Sequence, residues 1–328
     1  MSFNTLLPIV MLASGVANTI LSKYQDTIAE DAGPVKSMAI FQSLNIFLGE
    51  ACLWFYVFYR RYSRRSDYES LEKLTLKEKA ALALPAIMDI SGSTLMNVGL
   101  LFTSASIYQM TRGSLILFVA LFSITFLKSY IGRHQWLSLT FVVLGVALVG
   151  YSGFTANVGS NPTLGISAVL IGQGFLAVQF TLEEYILSYI HVDPPELVAY
   201  EGTYGVIFVL LGMGLSYYFV GSTEAGRYGW FDYSHVFSRL NELPILYFIS
   251  FVILISIAFF NVSGLSITHI YSATTRSLLD IARTFGIWVI ALLFGMESFH
   301  LLQFTGFVLL IYGIATYHSI IKLPLAEI

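Results

Sequence analysis

The chain has 328 residues, of which 56% are apolar and only 11% are Asp, Glu, Lys or Arg; 17 basic and 20 acidic residues leave a net charge of −3. A soluble domain carries about 25% charged residues, so this chain cannot cover a water-facing surface, and its charge balance excludes a polybasic surface for nucleic acid. The mean hydropathy of +0.74 and the 15% aromatic content, suited to rings at membrane interfaces, describe a protein that crosses a bilayer several times.

A helix needs about 20 mostly apolar residues to cross. In chain order such segments fall near 3–24, 37–60, 80–102, 105–127 and 134–153, and again near 163–190, 197–221, 244–268, 272–294 and 299–321. The breaks carry turn-forming or charged residues, among them Gly33-Pro34, Lys128 to His134, Gly159 to Pro162, Asp193-Pro194-Pro195 and Leu243-Pro244. The expected fold class is therefore an all-α polytopic membrane protein with ten transmembrane helices. The first span opens at residue 3 with no basic segment before it, so it is expected to remain as a span and not to be cleaved as a leader.

Lys and Arg counting sets the orientation. With the amino terminus in the cytosol, that side holds Arg60, Arg61, Arg64, Arg65, Lys73, Lys77 and Lys79 of the 60–79 loop, together with Lys128, Arg133 and Lys322; the other side holds only Lys36, Arg227 and Arg239. Both termini are then cytosolic.

The two halves resemble each other. A shift of 168 residues places Ser104-Ala105-Ser106 on Ser272-Ala273-Thr274, Phe126 on Phe294 and Gly145 on Gly313; nearby, Asn97-Val98-Gly99-Leu100 resembles Asn261-Val262-Ser263-Gly264-Leu265. Residues 1–153 form a first five-helix repeat and 163–322 a second. Five spans per repeat invert the second relative to the first, an architecture of transporters with a midplane solute site.

Charges inside a bilayer are costly and need a partner or a wet cavity, about 2.5–3.5 kcal/mol each on insertion scales. Arg276, Asp280 and Arg283 share one face of the ninth span, at spacings of four and three. They form either a salt-bridge ladder or a surplus of guanidinium forks for a carboxylate or phosphate. The fourth span presents Tyr108, Gln109 and Arg112, and Arg112 stands opposite Asp280 under the repeat shift, which makes a pair between them the simplest expectation. Candidate solute ligands are therefore Arg112, Tyr108, Gln109, Arg276, Arg283, Asn97 and Asn261. Candidates for charge pairing or proton coupling are Asp280, Asp89, Glu50, Glu184, Glu201 and Lys23. Glu183 and Glu184 are adjacent and point about 100° apart, so at most one faces a narrow cavity. Glycines such as Gly145, Gly172, Gly174, Gly212, Gly214 and Gly313 are expected to let helices pack closely.

Enzyme readings find no support. Cys52 is the lone cysteine, the six His never fall within five residues of one another, and neither a GxSxG elbow nor a P-loop occurs. No catalytic residue, metal or cofactor is expected.

The stretch Thr103-Ser-Ala-Ser-Ile-Tyr-Gln-Met-Thr-Arg-Gly113 resembles the fourth-helix motif of the drug/metabolite transporter superfamily, and more narrowly that of the F branch of solute carrier family 35. Ser272-Ala-Thr-Thr-Arg-Ser-Leu-Leu-Asp-Ile-Ala-Arg-Thr284 is similar to the ninth-helix motif of that branch, and Leu182-Glu183-Glu184, Glu201-Gly202 and Phe260-Asn261 add matches. The resemblance implies two inverted five-helix repeats, alternating access and a central cavity. Relatives of that superfamily include nucleotide-sugar and triose-phosphate translocators and the vacuolar chloroquine-resistance transporter.

The expected function is secondary transport of an organic solute across an intracellular membrane, with an anionic metabolite such as a nucleotide sugar or phosphate ester suggested by the arginines. Two alternatives stand beside it: a proton-coupled carrier of cationic or amino-acid-like solutes similar to the chloroquine-resistance transporter, and a non-transporting membrane interaction partner. Expected partners are a small-molecule solute and the lipid bilayer, with no nucleic acid; a homodimer is left open. The expected compartment is lysosome, vacuole or Golgi, with plasma membrane and mitochondrion left open.

Overall fold

The structure, a computed structural model, describes residues 3–31, 38–63, 74–102, 108, 111–153, 162–190, 192–293 and 301–321. Every regular element among the described residues is helical. In chain order the α-helices are α1 Phe3–Asp31, α2 Met38–Ala51, α3 Leu53–Ser63, α4 Leu76–Ala81, α5 Ala83–Phe102, α6 Leu115–Phe126, α7 Arg133–Gly153, α8 Pro162–Tyr189, α9 Pro194–Ser216, α10 Tyr233–Glu242, α11 Ile245–Ile270, α12 Ala273–Leu293 and α13 Leu301–Tyr317; a π-helical turn Tyr217–Gly221 and a 3-10 turn Glu224–Gly226 follow α9.

Among the described residues six stretches are long and apolar enough to cross a membrane: Leu6–Ala29, Ile40–Ser63, Leu76–Gly99, Thr163–Tyr189, Pro194–Gly221 and Ile245–Ile270. Two shorter apolar helices, Leu115–Phe126 and Phe304–Tyr317, fall inside further expected spans. By contrast α12 has 21 residues, enough to span, but carries Arg276, Asp280 and Arg283.

The helix ends follow the chemistry of their sequences. Pro162 opens α8, and Asp193 precedes α9 with proline in its first turn, where the missing N–H is not needed. After α6 the chain turns through Lys128 at φ 54°, and the Ser129 N–H donates to the Ser123 carbonyl at 3.1 Å, closing the helix as a Schellman motif does. Thr75 and Glu78 form a capping box for α4, which opens the Leu76–Gly99 stretch. The short α10 buries Tyr233, Val236 and Leu240, spaced to form one face, and packs that face on Ala29, Met38 and Leu246. It is too short for a span and lies in a connection, so a search for spans passes over it.

Asp232, just before α10, accepts a hydrogen bond from the Ser234 hydroxyl at 2.5 Å and another from the Tyr228 amide at 3.0 Å. Those bonds hold its carboxyl below the usual carboxylate range. Because the folded value lies below the unfolded one, the stabilisation is complete above the unfolded value of about 3.9 and is lost as pH falls through the folded value. Asp232→Ala is expected to speed amide exchange at Tyr228, which sits at φ 59°, by roughly fivefold at neutral pH, the equivalent of one hydrogen bond of about 1 kcal/mol. Parent and variant are expected to converge in strong acid, and hydrogen-exchange mass spectrometry of the 222–235 region measures both effects.

The chain divides into two compact units. The first comprises Met1–Ile87 and Ile186–Ser266; the second comprises Met88–Tyr185 and Ile267–Ile328. Each unit thus draws helices from both halves of the sequence. In the first, α9 lies on α2 so closely that a Cβ at Gly202 would stand 2.3 Å from the Ala51 nitrogen, and one at Gly205 would stand 2.1 Å from the Phe47 ring. Trp54 Nε1 donates to Thr203 Oγ1 at 2.8 Å. Arg60 and Arg61, at the end of α3, reach Asp193 at 2.7 Å and Glu196 at 2.5 Å, in the first turn of α9, where the helix dipole also favours the acids.

In the second unit, a Cβ at Gly145 on α7 would stand 2.6 Å from the Gly306 carbonyl of α13, and Gly92 of α5 and Gly172 of α8 face each other with similar closeness. Close packing thus explains Gly145, Gly172 and Gly313. It does not explain Gly174, Gly212 or Gly214, which have nothing within 4 Å of a built Cβ. The apolar core between α6, α7, α12 and α13 centres on Ile116, Val142, Leu278 and Leu310.

Candidate solute-binding site

The three charges of α12 do not form one ladder. Asp280 pairs with Arg283 one turn later, at 3.1 Å, and receives Arg112 of the fourth expected span at 3.9 Å. The expected Arg112–Asp280 pair therefore exists, but as the longer of two contacts to one carboxylate. Tyr108, one turn before Arg112, lies with its ring centroid 5.8 Å from that guanidinium, at the outer limit of a cation–π contact. Two guanidinium groups thus approach the Asp280 carboxylate, Arg283 closely and Arg112 loosely.

Arg112 and Asp280 line a cavity together with Gln173, Thr284 and Phe307 and a wall of aliphatic side chains from α6, α7, α12 and α13. Its volume for the centres of water-sized molecules is about 30 Å³, room for about two waters and not for an organic solute. Gln173 is 1% exposed, and its amide donates to the Met96 sulfur at 2.6 Å. Phe307 packs on Trp288 at a centroid distance of 5.0 Å with the rings tilted by 39°. Gln173 and Thr284 are additions to the sequence-derived set. Their sequence signal is weak, because a lone amide or hydroxyl among apolar residues has the same pattern whether it lines a cavity or seals a helix contact.

Arg276 takes a different partner. Its guanidinium donates to Glu183 of α8 and lies 4.1 Å from the centroid of the Phe180 ring, while Gln179 donates to the other Glu183 oxygen at 2.9 Å. Arg276 is 3% exposed and Glu183 is sealed at 0%. Asp89 of α5 is half-buried, and its backbone carbonyl accepts a hydrogen bond from the Ser93 hydroxyl at 2.6 Å. Of the adjacent carboxyls, Glu183 therefore faces the buried charge. Glu184 instead accepts a hydrogen bond at 2.7 Å from the Ala273 amide, satisfying a free donor in the first turn of α12.

The remaining candidates lie elsewhere. Glu50 is buried in the first unit and accepts a hydrogen bond from Asn261; Glu201 is also buried there. Lys23 and Asn97 are exposed. Gln109 lies outside the described residues. The structure thus brings together Arg112, Tyr108, Asp280 and Arg283 as one group, Arg276 and Glu183 as a second, and Glu50 and Asn261 as a third.

Long apolar helices that hold charged groups between them are those of a membrane-embedded protein. A sequence model of the family described as Nucleotide-sugar transporter matches residues 2–181. Solute carrier family 35 member F6 of Homo sapiens is 34% identical over 95% of this chain and 87% of its own length. An uncharacterised protein of Schizosaccharomyces pombe is 77% identical over 98% of this chain and 99% of its own. The chain belongs to the nucleotide-sugar transporter family, on the F branch of solute carrier family 35, whose members are transporters and not enzymes. Over a shorter stretch, 42% of this chain and 44% of its own, a UDP-N-acetylglucosamine transporter of Rattus norvegicus is 32% identical. A solved crystal structure aligns with 96% of this chain and 99% of its own at a TM-score of 0.57 and 11% identity, a likeness of fold alone.

Proposed function

We propose that the chain is a secondary transporter that moves an organic anion, of the nucleotide-sugar or phosphate-ester class, across an intracellular membrane by alternating access. The observation that carries this reading is Arg112, which lines the cavity and stands 3.9 Å from the Asp280 carboxylate, too long for a hydrogen bond. A guanidinium fork so loosely held at a cavity is suited to bidentate phosphate or carboxylate oxygens. The relation to a UDP-N-acetylglucosamine transporter supports the same solute class. Phe307 and Tyr108 offer aromatic surface near the charge, as solute pockets commonly do.

The cavity as it stands admits only water, so binding requires it to widen, which suits a carrier that alternates between states. Ten spans arranged as inverted repeats over 1–153 and 163–322 supply the frame for that alternation. All the proposed ligands come from one chain, so the reading does not need a homodimer. A vacuolar, lysosomal or Golgi membrane is the compartment we assign.

Reconstitution tests it. Proteoliposomes preloaded with unlabelled UDP-N-acetylglucosamine, other nucleotide sugars or triose phosphate are expected to accumulate the labelled solute by exchange, well above protein-free liposomes. No accumulation of any organic phosphate by folded protein would sink the anion reading and favour the interaction-partner alternative.

A further inference from the structure

The connection between α9 and α11 leaves a cluster of aromatic rings uncovered. Tyr218, Phe219, Tyr228, Trp230, Phe231 and Phe237 are 38–73% exposed, although the backbone that carries them is packed. We propose that residues 217–248 form a lipid-docking surface: the rings seat in the interfacial layer of the bilayer and hold the joined ends of α9 and α11 at that level. This surface stands apart from the solute reading.

Four contacts fix the backbone. A Cβ at Gly221 would collide with the Phe231 carbonyl, and one at Gly226 with the Val220 carbonyl, so the chain folds back tightly on the end of α9. The hydroxyls of Ser216 on α9 and Tyr233 on α10 share a hydrogen bond at 3.0 Å. In addition, α10 buries Val236 and Leu240 against Ala29, Met38 and Leu246. That packing turns Phe237 outward, edge-on to Phe41 at 6.4 Å between ring centroids. A backbone tied at these points has little freedom to fold its rings away.

The rings stand at one membrane level. The apolar stretches Pro194–Gly221 and Ile245–Ile270 have 28 and 26 residues, about 42 and 39 Å at the helical rise, against a hydrocarbon core of about 30 Å. The residues between them, which include the short α10, are too few to cross and return. Therefore α9 ends and α11 begins on the same side of the membrane, and both are long enough to carry their junction into the headgroup layer.

The chemistry of the segment suits that layer. Tyrosine and tryptophan join an apolar ring to a polar tip, which fits the boundary between lipid and water. Ser222, Thr223, Glu224 and Arg227 are exposed beside the rings, where headgroups and water can solvate them. A second copy of the chain fits less well, because the core of a protein interface is depleted of charged residues. Within residues 217–248, Glu224, Asp232 and Glu242 stand against Arg227 and Arg239, so the charges nearly balance. Burial of the rings, and not attraction to anionic lipid, holds the segment down.

Tryptophan fluorescence of the full chain in phosphatidylcholine nanodiscs tests the docking. Lipids brominated near the carbonyl or near the chain end quench from two depths, and iodide quenches from water. The difference between the parent and Trp230→Phe isolates Trp230. Its emission is expected to fall more with shallow bromines than with deep ones, and little with iodide. The same pattern is expected when phosphatidylglycerol replaces part of the phosphatidylcholine. Phe219→Trp adds a reporter to the same surface; it is expected to behave alike, and it serves where Trp230→Phe fails to fold. Quenching by iodide alone would put the segment in water, and quenching by neither agent would put it under protein, such as a second copy. Either result overturns the proposal, as does stronger quenching by deep bromines or quenching that requires the anionic lipid. No solute enters the measurement, so its failure leaves the anion reading standing.

Discussion

Arg276→Met is expected to cost about 3–5 kcal/mol of stability, the penalty for leaving a buried charge without its partner. Methionine keeps much of the arginine stem's volume and removes the charge, so Glu183, sealed at 0% exposure, loses the guanidinium and keeps only the Gln179 amide. The loss reads as a large drop in melting temperature of the purified chain in detergent, followed by tryptophan fluorescence. The double variant Arg276→Met, Glu183→Leu is expected to recover most of that loss, since replacing a buried pair by apolar side chains is often neutral or better. The cycle of single and double variants isolates the pair energy. An Arg276→Met protein as stable as the parent but deficient in uptake would return Arg276 to the ligand set proposed from sequence.

Arg112→Lys and Arg283→Lys are expected to act in the opposite way, sparing the fold and weakening the solute. Lysine keeps the charge near Asp280 but not the planar fork. Arg112 is 29% exposed and stands 3.9 Å from its acid, so its structural share is that of a weak, partly solvated pair. Hydrogen bonds to charged groups contribute about 1.5–3 kcal/mol, so loss of a bidentate contact to an anion is expected to lower uptake at limiting solute by roughly 10–100-fold. Melting temperature and uptake measured on the same preparations separate the two roles. Full uptake by both variants would remove the anion fork as the basis of binding.

Several features were legible because they depend on residues close in sequence. The proline starts of α8 and α9 and the break at Lys128 each follow from local hydrogen bonding and backbone sterics. The pairing of Asp280 with Arg283 is of the same kind, being one turn apart on one helix. The Arg112–Asp280 contact was legible because the two residues coincide under the 168-residue shift and carry opposite charges. The partner of Arg276 had no such mark. Glu183 lies 93 positions away, and its neighbour Glu184 presented the same residue type, so the spacing rule said that only one faced inward and not which. The helix rotation that settles this is fixed by how α8 packs.

By itself, the sequence determined the solvent and the class of element. Too few charges for a water-facing surface, and apolar stretches of bilayer length, leave helices as the form that satisfies every backbone polar group. It also determined that buried arginines and carboxyls exist, because their presence within apolar stretches needs no coordinates. Only the tertiary structure decided which charge meets which. It gave Arg276 to Glu183, set Arg112 and Arg283 on one Asp280, left Lys23 and Asn97 exposed, and showed that Gly145 serves a close helix contact while Gly174 does not. The physical reason is that a span's apolar composition sets its place in the bilayer with little regard to rotation. Which face turns inward is decided by packing of small residues and by the cost of any charge left without a partner, and both belong to helices distant in the chain.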